Sequence, residues 1–117
     1  MHIAVLDDYQ GVALGMADWS PLRDHETVVF RDHLDDEAAV AARLRDFHVV
    51  AAMRERTPFP RSLLERLPLL RLLVTTGRRN DSIDTDAATR LGIVVSSTGG
   101  TGTSTGELTF GLMLALM

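Results

Sequence analysis

At 117 residues the chain has the size of one domain, long enough to bury a core without disulfide or metal staples. It has no cysteine, which excludes disulfides and thiolate metal sites, and its histidines, His2, His25, His33 and His48, lack the close spacing that metal sites favour. The net charge is −4 and every basic residue is an arginine, scattered along the chain, so there is no electrostatic footprint for nucleic acid.

The first strand is expected by Ile3, with no basic leader before it. The longest apolar run, Leu108 to Met117, is too short to cross a bilayer, and the expected setting is the cytoplasm with no membrane partner. Ile3 to Leu6 is a compact apolar strand closed by Asp7 and Asp8. From there to Asp18 the pattern is weakly helical, because Gly11 and Gly15 each cost about 1 kcal/mol relative to alanine. Thr27 to Phe30 reads as the second strand. Asp35 is the expected cap of a helix with Asp36 and Glu37 at its positive end and Arg43 and Arg45 near its negative end; Val40, Leu44 and Phe47 share one face.

A third strand, Val49 to Met53, runs into Arg54, Glu55, Arg56 and Thr57. Pro60 suits the first turn of a helix whose buried face is Leu63, Leu64 and Leu67, and Pro68 stops it. Leu69 to Val74 has no polar face, as expected of a strand buried on both sides of a parallel sheet. Thr75, Thr76 and Gly77 then turn the chain, and Arg78 and Arg79 add two cations. Free backbone N–H groups around Gly77 beside two guanidinium groups would seat an anion at the carboxyl end of a strand; a solvated loop carrying two arginines is the alternative.

Asp84 is expected to cap the next helix, with Ile83 stapled against Ala88 and Gly92 in the left-handed position that ends it. Ile93 to Val95 makes a fifth strand. Ser96 to Gly106 is only serine, threonine and glycine, and Ser104-x-x-Glu107 is a capping box that opens a last helix. The alternation predicts an α/β fold, a five-stranded parallel doubly wound sheet in the flavodoxin-like order 2-1-3-4-5 with helices on both faces. Its cleft is expected where the first and third strands adjoin.

Four phosphate readings fit poorly. Gly100-Thr101-Gly102 starts like a dinucleotide fingerprint, but Thr105 holds the third glycine position, and a P-loop needs a lysine that this chain lacks. A flavodoxin would want hydroxyl groups where Asp7-Asp8-Tyr9-Gln10 stands. A phosphoacceptor receiver would use such acids to hold magnesium, yet Met53-Arg54 occupies the acceptor position and the expected lysine is missing. Asp7 and Asp8 are therefore read as cap and turn residues, and no metal site is assigned.

Four segments, in order, resemble the D-isomer-specific 2-hydroxyacid dehydrogenases. They are Met53-Arg54-Glu55-Arg56-Thr57; Leu73-Val74-Thr75-Thr76-Gly77 with Asn80 to Asp84 behind it; Leu91-Gly92-Ile93-Val94-Val95; and Thr105-Gly106-Glu107-Leu108-Thr109. The resemblance covers the whole chain and is closest to bacterial members with an Asp-Asp-Tyr-Gln start. It implies a flavodoxin-like substrate domain over residues 1–102. Residues 103–117 would begin a helix crossing to a Rossmann NAD domain absent from this chain.

Carried over by position, the resemblance gives the backbone of Gly77 and Arg78 the carboxylate of a small 2-hydroxy or 2-oxo acid. Arg54 would line the same cleft, Thr105 would face the cofactor, NAD or NADP, and Glu107 would be structural. The family's catalytic arginine, histidine and glutamate, with its Gly-x-Gly-x-x-Gly loop, lie beyond Met117 in the family pattern. No catalytic residue is therefore assigned here. The implied protein is the N-terminal part of an oxidoreductase acting on the CH–OH group of a 2-hydroxy acid, without turnover alone. Arg78, Gly99 and Gly106 depart from the family's usual small residue, proline and alanine, which implies a looser loop and a more anionic substrate.

The rival from another class is a stand-alone flavodoxin-like or receiver-like binding or regulatory module. Leu108, Phe110, Leu112, Met113, Leu114, Leu116 and Met117 leave the last helix almost no polar face. It is expected to pack back on the sheet or to pair with a second chain as a homodimer, the alternative being an ordinary sheet-covering helix.

Overall fold

The computed structural model describes residues 1–99 and 104–116, the first three of the latter by backbone alone. Five strands, β1 (His2–Val5), β2 (Glu26–Val29), β3 (Val49–Ala52), β4 (Leu72–Thr75) and β5 (Val94–Ser97), form one sheet in the order β2-β1-β3-β4-β5. All neighbours are parallel, and one rung runs Thr27, Ile3, Val49, Leu72, Val94 across the sheet. The expected strand order is therefore the observed one. It brings the carboxyl ends of β1, β3 and β4 side by side.

Side chains alternate across a strand, so Ala4, Leu6, Val50, Ala52 and Leu73 share one face and are buried there. Against them pack Val40, Ala41 and Leu44 of α1 (Glu37–Leu44), Leu63 and Leu64 of α2 (Arg61–Leu64), and Ala87 and Ala88 of α3 (Thr85–Arg90). This is the main core. On the opposite face Ala51, Leu72 and Val74 are only half-buried and Val94 is exposed.

Over Val5 and Ala51 on that face lies the β1–β2 connection. Where a weak helix was expected, it makes two 3-10 turns, Ala13–Gly15 and Ser20–Leu22. Local side chains outcompete the helix. The Asp8 carboxylate takes the N–H groups of Val12 and Ala13, Trp19 Nε1 donates to the Ala13 carbonyl, and Gly11 turns at φ 65°.

Other boundaries shift for equally local reasons. Asp36, not Asp35, caps α1, accepting the Ala39 N–H at 3.0 Å, while Asp35 faces His33 Nε2 at 3.1 Å. Pro60 is itself the N-cap of α2, extended at ψ 166°, one position before the first helical turn. β4 starts at Leu72 because the Leu70 N–H turns back to the Leu67 carbonyl, leaving Leu69 exposed and Leu70 buried. β5 begins at Val94, one residue later than expected, since the Ile93 N–H is taken by the end of α3.

α3 ends as read. Asp84 accepts the Ala87 N–H at 2.9 Å, and Ile83 and Ala88 lie in the same core cluster. Gly92 turns left-handed at φ 73°, so that its N–H reaches the Thr89 carbonyl and that of Ile93 reaches Ala88, a Schellman closure.

The last helix, α4 (Ser104–Ala115), does not cover the sheet: Leu108, Phe110, Leu112, Met113, Leu114 and Leu116 are all exposed. The expected Ser104–Glu107 capping box and the side chain of Thr105 lie outside the described residues. Among the described residues no helix is long and apolar enough to cross a membrane.

Candidate functional site

The chain leaves β3 through Arg54, a non-glycine residue in the left-handed region at φ 50°, and leaves β4 through Gly77 at φ 96°. Two bonds fix Arg54 from the β4 side. Its N–H donates to Thr76 Oγ1 at 3.1 Å, and its carbonyl accepts from Asn80 Nδ2 at 2.6 Å. Asn80 Nδ2 also donates to Thr75 Oγ1, and Asn80 Oδ1 accepts from the N–H and hydroxyl of Ser82. The Arg54 guanidinium lies over Gly77: a Cβ there would stand 3.8 Å from Cζ and 3.9 Å from Nε. Two of the predicted site residues thus meet.

The Gly77 amide, expected to be free, is already taken. It donates to Thr98 Oγ1 at 2.8 Å, and the Gly77 carbonyl accepts the Thr98 N–H at 3.0 Å. Thr98 is 21 residues away and exposed.

Arg78 and Arg79 point the site in a second direction. With Thr75, Asn80, Thr85 and Ser97 they line a cavity of about 420 Å³ on the α3 side of the edge. Arg79 is held by Asp81 at 2.6 Å, both groups well exposed. A second cavity, about 510 Å³, lies under the β1–β2 connection with Val5, Met16, Trp19, Ala51 and Met53 in its walls and Tyr9 and Arg56 at its rim. The Arg54–Gly77 contact falls between their linings: Thr76 and Met53 border one, Arg78 the other.

A buried cluster beside this edge, not expected from the sequence, is built on Asp7. Asp7, 2 % exposed and left-handed at φ 56°, has His33 Nδ1 at 2.8 Å from one carboxylate oxygen and accepts the Thr57 hydroxyl at 2.6 Å on the other. Its carbonyl accepts from Arg56 Nη1 at 2.7 Å, and that guanidinium stacks on Tyr9. The cap role expected of both acids belongs to Asp8 alone. Asp7's partners are 26 and 50 residues distant, beyond the reach of any local spacing.

Electrostatics follow the geometry. The hydrogen bond to Asp7 holds the His33 imidazolium above its ordinary range against the cost of desolvation, and the charges of Asp7 and Asp35 add to it. The Ala13 amide, followed by those of Val12 and Gly11 and by the charge of Arg31, holds the Asp8 carboxyl below its ordinary value, again against desolvation. Among the described residues there is no group of three or more histidine or acidic side chains placed to hold a metal ion.

Parallel order 2-1-3-4-5, with the Arg54–Gly77 contact between two cavities at the carboxyl edge, defines an α/β domain built on a five-stranded parallel sheet. The family model described as D-isomer specific 2-hydroxyacid dehydrogenase, catalytic domain, matches residues 3–111, and the chain belongs to that family.

Solved structures agree. A phosphoglycerate oxidoreductase from Vibrio cholerae O395 is 38% identical over 98% of this chain and 36% of its own, with a TM-score of 0.89. A Ralstonia solanacearum protein described provisionally as a D-3-phosphoglycerate dehydrogenase oxidoreductase is 39% identical over 97% of this chain and 34% of its own, with a TM-score of 0.87. The NAD-dependent formate dehydrogenase of Staphylococcus aureus, solved with NAD, shares the fold at 24% identity and a TM-score of 0.68, over 88% of this chain and 34% of its own. The chain spans about a third of the length of these proteins. No curated protein matches it.

Proposed function

We propose that this chain is the N-terminal, substrate-binding part of an NAD(P)-dependent oxidoreductase that acts on the CH–OH group of a small 2-hydroxy acid, or reduces the matching 2-oxo acid. The carrying observation is the Arg54 guanidinium set over Gly77, with the Arg54 backbone held by Thr76 and Asn80 and the Gly77 carbonyl held by the Thr98 N–H. A carboxylate seated there would take charge-assisted hydrogen bonds from Arg54 and the Gly77–Arg78 backbone. The substrate carbon would then stand at the mouth of the cleft. Membership of the dehydrogenase family supports the reaction class and favours the enzyme over a stand-alone regulatory module.

The described residues do not themselves suit a dinucleotide. The helices that follow β2 and β4 open on the carboxylates of Asp36 and Asp84, which repel a pyrophosphate where a phosphate-binding turn would attract it. NAD, which supplies the hydride-transferring ring when bound, would be held mainly by a further domain, with Thr105 facing it. A cytoplasmic setting goes with the family reading.

The purified chain is expected to show no NADH oxidation with glyoxylate or hydroxypyruvate, because the acid-base groups of the reaction are not among its assigned residues. Measurable turnover followed at the NADH absorbance would overturn this division of labour. The exposed apolar side chains of α4 are proposed to pair two copies of the chain. Sedimentation velocity should then give a mass that rises with concentration toward the dimer; a monomer at every concentration would contradict it.

A further inference from the structure

We infer that Asp7 and His33 are positioning residues for Arg54: the buried Asp7 carboxylate ties the loop that carries Arg54 to His33, so the placement of Arg54 follows the protonation of His33. This rests on reading Arg54 as the carboxylate contact, but the coupling itself is measurable without a substrate.

The loop from Met53 to Thr57 is moored on two sides. On the β4 side, Thr76 and Asn80 hold the N–H and carbonyl of Arg54. On the β1 side the moorings are both on Asp7, whose carbonyl takes the Arg56 guanidinium and whose carboxylate takes the Thr57 hydroxyl. Arg54 and Asp7 are both non-glycine residues with positive φ, a strained backbone that persists only where surrounding contacts over-determine it. Loosening Asp7 therefore acts directly on the strained segment.

His33 is the cluster's window to solvent. Its side chain is 27% exposed against 2% for Asp7, so a proton reaches the pair through the imidazole. The other charges near it come from three elements. Asp35, on the same loop, faces Nε2; Asp32 is occupied by Arg43 of α1 through paired hydrogen bonds of 3.0 and 2.7 Å; and Arg56, from the loop after β3, reaches the Asp7 carbonyl while stacking on Tyr9. Protonated, His33 neutralises a buried carboxylate. Once the proton leaves, Asp7 loses that counter-charge in a site shut off from water.

The sign follows from the raised pKa of His33, which the Asp7 hydrogen bond mainly causes. The stabilisation is complete below the ordinary histidine value of about 6.5 and fades as pH rises through the higher folded value. The Arg54 loop is thus set while His33 is protonated and relaxes as pH rises through the raised midpoint.

Amide and imidazole NMR shifts of the whole 117-residue chain, followed from about pH 5 to about pH 9, test the coupling. The Arg54 and Thr57 amides should move with the midpoint of the His33 ring. Asp7→Asn, which tolerates the left-handed backbone and still accepts from Thr57, should lower the His33 midpoint toward its ordinary value and flatten both amide curves. His33→Gln, which keeps a donor for Asp7, should flatten them as well and serves if Asp7→Asn fails to fold. Flat Arg54 and Thr57 amides in the native chain while His33 titrates, or moving ones in His33→Gln, overturn the inference. Glyoxylate added to the same samples separates the two readings: tracking amides without glyoxylate binding uphold the coupling and overturn the substrate assignment.

Discussion

Replacing Phe59 by alanine is expected to destabilise the fold by about 3–5 kcal/mol. Phe59 is fully buried in the main core cluster with Leu63, Leu64, Ile83 and Ala88. Its backbone also joins two loops, because its N–H donates to the Ser82 carbonyl at 2.9 Å and its carbonyl accepts the Asp84 N–H at 3.0 Å, a short parallel bridge to Ile83. A cavity there would cost a large share of the roughly 5–15 kcal/mol that holds a domain of this size. It would also reach the site, since Ser82 is the residue on which the Asn80 carboxamide oxygen rests, and Asn80 holds the Arg54 carbonyl. Urea unfolding of the two chains reads the difference; a loss below about 1 kcal/mol would show that this loop junction is not built as described.

Arg54→Gln is expected to weaken binding of a 2-oxo acid by roughly 10- to 150-fold, the loss of about 1.5–3 kcal/mol that goes with a hydrogen bond from a charged group. The fold should hardly notice. The Arg54 side chain is exposed and its moorings are made by the backbone, so stability should stay within about 0.5 kcal/mol of the native chain. Calorimetric titration with glyoxylate measures the first quantity and urea unfolding the second. Equal affinity in an equally stable variant would remove Arg54 from the carboxylate seat.

Much of the scaffold was legible because parallel strands buried in an α/β sheet leave a simple trace. Ile3 to Val5, Val49 to Ala52 and Leu72 to Val74 are apolar runs too short for helices, and their alternation with capped helical segments left little choice of topology. α3 was legible to the residue, since Asp84 and Gly92 act through bonds within their own turn. α1 was misplaced by one position because two aspartates, Asp35 and Asp36, stand together before it, and only the geometry shows which of them reaches Ala39. The β1–β2 connection failed as a helix because Asp8, Trp19 and Gly11 fold it on itself.

At the site the limit was distance along the chain. Gly77 was readable as a turn, and a residue in left-handed geometry was needed there. That its N–H is already taken was not readable, because Thr98 is supplied by the loop after β5. Arg54 was found through family resemblance; its left-handed backbone and its bonds to Thr76 and Asn80 depend on a neighbouring strand. Asp7 looked like one of a pair of turn acids and is a buried ion-pair partner instead, because the loop after β2 brings His33 and the loop after β3 brings Thr57 to its two oxygens.

The most direct measurement is an amide-shift titration of the 117-residue chain with hydroxypyruvate. A carboxylate seated between Arg54 and the β4 turn should give saturable shifts at Arg54, Thr76, Gly77 and Thr98, with the Gly77 amide changing most as the threonine hydroxyl leaves it. Saturable shifts elsewhere on a folded chain, with these four residues unmoved, would contradict the account.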